Sequence, residues 1–234
     1  MKKYLTLILL SVVIIGFGQD TESRLFKNQI FSFSPIAKDV KTVNGMTLGI
    51  GHFETTDIIN QKINGLNLDV NPLGIIAILF IDPEKGLDLG RNIQHNGLHI
   101  SLSGYHGNAN LNGIGVSFYH FGKTSNGISF NASYNSVATS NGIFITGIAM
   151  ISETASGIFI TGIGNDFEFL KGISAGISNR TFELKGLQIG GYNLVKGINK
   201  GIQIGIFNHS KADKGFQLGL WNVSNKRSLP LINW

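Results

Sequence analysis

Few side chains in this chain have the type and spacing that chemistry needs. His95 and His99 stand four residues apart, which offers two imidazoles to one metal ion only on a helix. The residues around them alternate as a strand does, so the sequence places both at exposed polar positions. His52, His106, His120 and His209 are scattered, with no carboxylate pattern beside them. Asp82, Glu84 and Asp88 form the densest acidic group, next to Pro83. Such a group could hold a cation or supply the carboxylate pair of a sugar-cleaving solenoid. It falls in an irregular turn and reads as a solvated loop. No Gly-x-Ser-x-Gly elbow, P-loop or calcium-binding Gly-Gly-x-Gly-x-Asp nonapeptide is present. With no cysteine, thiolate metal sites, disulfides and cysteine nucleophiles are excluded. The sequence therefore predicts no catalytic, cofactor-binding or metal-ligating residues, no cofactor and no enzymatic activity. One set of aromatic residues does recur at a fixed spacing: Tyr192, Phe207 and Trp221.

That spacing belongs to an internal repeat. A unit opening Gly-apolar-x-apolar begins at Gly45, Gly65, Gly86, Gly97, Gly113, Gly127, Gly142, Gly157, Gly172, Gly186, Gly201 and Gly215. From Gly97 the steps are 16, 14, 15, 15, 15, 14, 15 and 14 residues, and before it they are irregular. One residue after each Gly (+1) stands an apolar residue such as Ile143, Ile158 or Ile202, and at +3 another, such as Ile145, Ile160 or Ile204. Between them, at +2, sit Asn67, His99, Ser129, Gln188, Gln203 and Gln217, with Phe144 and Phe159 breaking the pattern. Period-2 alternation is the mark of a strand with one buried face, so the apolar columns are expected inside. On that reading Ile202→Asp abolishes folding and Gln203→Asp is mild. Before the repeat Gly stands Asn in early copies (Asn44, Asn64, Asn96, Asn112, Asn126, Asn141) and Lys in late ones (Lys171, Lys185, Lys200, Lys214). Late strands close on Asn179, Asn193, Asn208 and Asn222.

A strand in every unit of about 15 residues fits two architectures. In a β-solenoid each unit is one coil and equivalent strands stack in parallel. In an antiparallel outer-membrane β-barrel, short and long connections alternate and strands run to about 9–11 residues. The uniform connections and short alternation favour an all-β solenoid of about twelve coils, with the barrel as alternative. The terminal Trp234 suits a barrel, but Pro230 disrupts the strand such an ending requires. Tyr192, Phe207 and Trp221, with Tyr119, Ile148 and Ile163 earlier, then stack near a corner at +6. Such a ladder either binds a sugar, peptide or lipid or packs beneath a connecting segment. Leu73 to Ile81 is an apolar run that reads as a core strand, with membrane contact as the alternative.

Residues 1–18 read as a signal peptide, with basic Lys2 and Lys3, an apolar stretch from Tyr4 to Ile15, and Gly16 and Gly18 before a cut at Gln19. Residues 19–43 are expected as an N-terminal cap, 44–225 as the repeat domain (irregular over 44–96, regular over 97–225) and 226–234 as a C-terminal cap. The formal charge of +5 falls to about +3 without Lys2 and Lys3. Its scattered basic residues do not make a nucleic-acid footprint. The motifs Gly-Leu-Gln-Ile-Gly at 186–190, Gly-Ile-Gln-Ile-Gly-Ile-Phe-Asn at 201–208 and Gly-Phe-Gln-Leu-Gly-Leu-Trp-Asn at 215–222 resemble those of uncharacterised bacterial surface-repeat proteins. So does the ending Lys-Arg-Ser-Leu-Pro-Leu-Ile-Asn-Trp. The resemblance implies a cell-envelope location and carries over no catalytic residue. The expected function is a non-enzymatic structural or interaction module at the cell surface, outer membrane or outside the cell. Its partner would be an unidentified surface ligand or envelope component, with outer-membrane association included. A barrel acting as pore or anchor is the alternative.

Overall fold

Each coil bends at its repeat glycine. In the computed structural model the described residues are 27–51, 60–71, 76, 93–102, 104, 109–211 and 214–234. At Gly142 and Gly157 the backbone takes φ of 134° and 137°, and a Cβ there would lie 1.9 Å from the carbonyl oxygen of the preceding coil's glycine. Only glycine tolerates both conditions, so these glycines stack directly on one another.

The strands are β1 (Lys27–Ser34), β2 (Val40–Gly49), β3 (Lys62–Asp69), β4 (Ile93–Ser101), β5 (Ala109–Ser117) and β6 (His120–Asn131). They continue as β7 (Tyr134–Thr146), β8 (Ala149–Thr161), β9 (Gly164–Val195), β10 (Ile202–Ser210), β11 (Phe216–Val223) and β12 (Ser228–Asn233). They pair in chain order, parallel from β1 to β11. The protein is a β-solenoid of about 11 turns, not a barrel. Consecutive parallel pairing puts every turn at the same corner, which an up-and-down barrel cannot do. Gly65 pairs directly with Gly97, so β3 and β4 are neighbours; Gly86, read from the sequence as a repeat start, lies outside the described residues. At the far end β12 runs antiparallel to β11. Pro230 is accommodated where the register shifts between Gly219 and Asn222, so the strand forms despite it.

The apolar columns face the opposite way from the sequence-based expectation. Ile143, Ile158 and Ile202 at +1 are 40%, 38% and 43% exposed, whereas Phe144, Phe159 and Gln203 at +2 are fully buried. Positions −2 and +2 both point inward, leaving −1, the glycine and +1 on the convex corner. This also explains Phe144 and Phe159: they obey the inward column rather than break an outward one. With Phe167 they form an aromatic run, centroids 5.3 and 4.9 Å apart, inside a core that also holds Val137, Met150, Leu170, Leu184 and Val195. A second cluster, Ile36, Val40, Val43, Ile63 and Ile93, fills the first coils.

Elsewhere the interior is held by stacked amides. Asn165, Asn179, Asn193 and Asn208 each donate from Nδ2 to Oδ1 of the next coil's Asn at 2.9, 2.8, 2.8 and 2.7 Å, ending on Asn222. Gln203 donates to Gln188, Gln217 to Gln203 and Asn233 to Gln217, at 3.0, 2.8 and 3.0 Å. The two ladders donate in opposite senses along the stack, so their side-chain dipoles oppose each other. Within each ladder every bond polarises the next. Glycine at +4 makes room for the first ladder: a Cβ on Gly205 would lie 2.5 Å from Asn193 Nδ2.

Candidate functional site

The outward columns form one side of the solenoid, and that side is the candidate site. Three columns point away from the core, at +1, +3 and +5. The third carries Ile50, Val70, Leu102, Ile177, Ile206 and Leu220, all exposed, and falls to Gly147, Gly162 and Gly191 in coils between them. No described coil places a polar or charged side chain in any of the three. The first and last strands extend the same surface. Phe31 and Phe33 of β1 pair with Met46 and Leu48, and Ile232 of β12 pairs with Leu218. Twelve strands at a spacing of about 4.8 Å make the side about 50 Å long, and five residues across make it about 13 Å wide. That is roughly 650 Å², beyond the largest apolar patch of an ordinary monomer at about 300–600 Å². The backbone beneath is consumed by the ladders, so this side presents aliphatic carbon and almost nothing that accepts or donates a hydrogen bond.

Its two long edges differ. At +6 the register stacks Tyr192 on Phe207 and Phe207 on Trp221, with exposures of 40%, 53% and 47%. The aromatic column is therefore a surface ladder and is not packed beneath a connecting segment. Tyr119 does not share in it: it is fully buried against Phe121, and burial pushes its phenol pKa well up. Ile163 is exposed and Ile148 half-buried. Along the −1 edge, early coils carry an asparagine ladder in which Asn64, Asn96, Asn112, Asn126 and Asn141 each donate to the Asn of the coil before, at 2.6–3.0 Å. Late coils replace it with Lys171, Lys185, Lys200 and Lys214, all exposed. The sequence showed the +6 and −1 columns but not the +5 column, whose apolar character becomes meaningful only once +1 and +3 are known to face out.

The histidines read from sequence as exposed are buried. His95 and His99 flank Gly97 at −2 and +2, so the corner brings their Nδ1 atoms to 3.0 Å inside the stack. Asp69 accepts from Ser34 Oγ and Asn67 Nδ2 at 2.6 Å each, and its Oδ2 lies 3.8 Å from His99 Nε2. Thr47 also bonds Asn67. This is a buried polar network. No group of three or more His, Asp or Glu among the described residues has metal-binding geometry. His209 is half-buried. His52, His106, Asp82, Glu84, Asp88 and the run from Leu73 to Ile81, apart from Ile76, lie outside the described residues.

His120 makes a testable contribution. Its side chain is fully buried, donates from Nε2 to the Ala109 carbonyl at 3.2 Å, and has its pKa lowered to about 4. Desolvation outweighs the bond to Ala109. The unfolded chain takes up this proton near pH 6.5 and the folded chain only near 4, so stability is retained above 6.5 and lost as pH falls through that window. A shift of this size corresponds to about 3 kcal/mol. Urea midpoints at pH 7.5 and 4.5 are expected to differ more for the natural chain than for His120→Asn.

No protein-family model, curated protein or solved structure matches the chain.

Proposed function

We propose that the chain is a non-enzymatic cell-envelope module that works by docking the aliphatic side of its solenoid onto another envelope component. The observation that carries this reading is the inversion of the usual pattern. Amide ladders and small polar residues occupy much of the interior, while two continuous apolar columns at +1 and +3, and a third at +5 that glycine interrupts at Gly147, Gly162 and Gly191, face outward. Exposing so much aliphatic surface to water costs free energy along the whole stack, at about 25 cal/mol per Å². A fold that keeps the +3 column apolar from β1 to β12 is built for a partner that covers it. The leader-like residues 1–18 and the resemblance of the late repeats to bacterial surface-repeat proteins support export.

Because the chain has no cysteine, one introduced cysteine is a unique reporter. In expressing cells Ile145→Cys is expected to be shielded from a soluble maleimide, whereas Glu153→Cys, exposed away from the three apolar columns, reacts freely. Both should react in the isolated chain. Equal labelling of the two positions in cells would show the aliphatic side uncovered and end the proposal.

A further inference from the structure

Resting on that docking role, we infer that the occupant of the aliphatic side is the surface of an anionic lipid bilayer. Two independent features choose this partner over a protein. The first is the absence of polar recognition. A protein interface carries about one hydrogen bond per 100–200 Å², yet the +1, +3 and +5 columns offer none over their whole length. An acyl-chain boundary asks for none.

The second is the chemistry of the edges. Lys171, Lys185, Lys200 and Lys214 lie one per coil, side by side along the −1 edge, and none has an ion-pair partner among the described residues. Like charges on neighbouring strands repel, so the row is favourable only beside a line of negative charge. No acidic residue of the described coils occupies the −1, +1, +3 or +5 columns; Glu183, two residues before Lys185, is the one carboxylate set beside the lysine row. The opposite edge carries Tyr192 and Trp221, whose amphipathic rings suit the headgroup level. Aliphatic columns settled at the acyl boundary, with cations along one edge and aromatic rings along the other, match an interfacial surface.

The test is co-sedimentation of the folded full-length chain with vesicles of phosphatidylcholine alone or mixed with phosphatidylglycerol. Binding is expected to the mixed vesicles, weakening about tenfold or more when salt is raised or when Lys171, Lys185, Lys200 and Lys214 are all changed to Gln. Ile145→Ser/Ile160→Ser/Ile189→Ser is expected to abolish it, with circular dichroism confirming the fold. The salt series on the natural chain needs no variant to fold. Equal binding to both vesicle types would overturn the inference. So would no binding combined with a dimer that the triple Ser variant dissociates, which would make a second copy the occupant. In that last case Ile145→Cys would still be shielded in cells, so the docking role would survive the loss of the lipid partner.

Discussion

Gln203→Asp is expected to remove several kcal/mol of stability, and Ile202→Asp, its immediate neighbour, only about 1 kcal/mol. Gln203 is fully buried in the middle of its ladder. Its Nε2 donates to Gln188 and to the His209 carbonyl, and its Oε1 accepts from Gln217. Aspartate is too short to reach either amide and brings a charge that the stack cannot solvate. An uncompensated buried charge costs about 3–5 kcal/mol, against a total stability of about 5–15 kcal/mol for a typical domain. Ile202 sits on the outer side between Leu187 and Phe216. Its replacement loses strand propensity and some lateral packing but no ladder bond. Urea unfolding followed by far-ultraviolet circular dichroism measures both. Equal losses, or a larger one for Ile202→Asp, would place the apolar columns inside after all.

This pair inverts what hydrophobicity alone suggests, and the reason shows how much could be read from residues. The period, the stacked glycines and the parallel coils were legible, because a coil of fixed length repeats its corner chemistry. The inward face was not, because alternation shows that two faces differ without saying which is inside. The better signal was column identity. Gln188, Gln203 and Gln217, or Asn179, Asn193, Asn208 and Asn222, are the same residue at every step, since an amide ladder between parallel coils about 4.8 Å apart repeats most regularly with like amides. The +1 column varies freely among Met, Leu, Ile and Phe, as a surface held by no specific bond can. Phe144 and Phe159 carried the same message: a large ring admitted twice to a supposedly exposed column is more economically placed in a core. His95 and His99 were misread for the same reason. The stretch Gly86-Leu-Asp-Leu-Gly90 has the spacing of a repeat, but it is Gly97 that stands beside Gly65. The aromatic column was visible, while its exposure depended on the coil turning outward at both +5 and +6.

The second large effect is expected at a glycine. Gly157→Ala should cost about 4 kcal/mol or more, because its Cβ would stand 1.9 Å from the Gly142 carbonyl oxygen and 2.9 Å from that residue's C and N. Backbone atoms on a neighbouring strand cannot yield as a flexible side chain does. The only relief is to separate the coils, which breaks the ladder bonds on either side. The φ of 137° adds strain of its own for any residue with a Cβ. Gly164→Ala is the matched control: its Cβ would meet nothing nearer than the Ser178 carbonyl oxygen at 3.6 Å. Alanine there restricts the unfolded chain and should leave stability unchanged or slightly raised. Position along the stack then separates a local from a global failure. In a solenoid each coil is stabilised by its neighbours, so a break at Gly157, beside the Phe144–Phe159–Phe167 run, severs the array near its middle and uncouples the two halves. Calorimetry of Gly157→Ala is expected to show two transitions where the natural chain shows one. Gly45→Ala meets a similar backbone clash, 2.3 Å from the Ile30 carbonyl oxygen, but at the end of the array. It should therefore detach only β1 and leave the main transition nearly in place. A single, equally lowered transition for both variants would mean that the coils fold as one indivisible unit rather than as nearest neighbours.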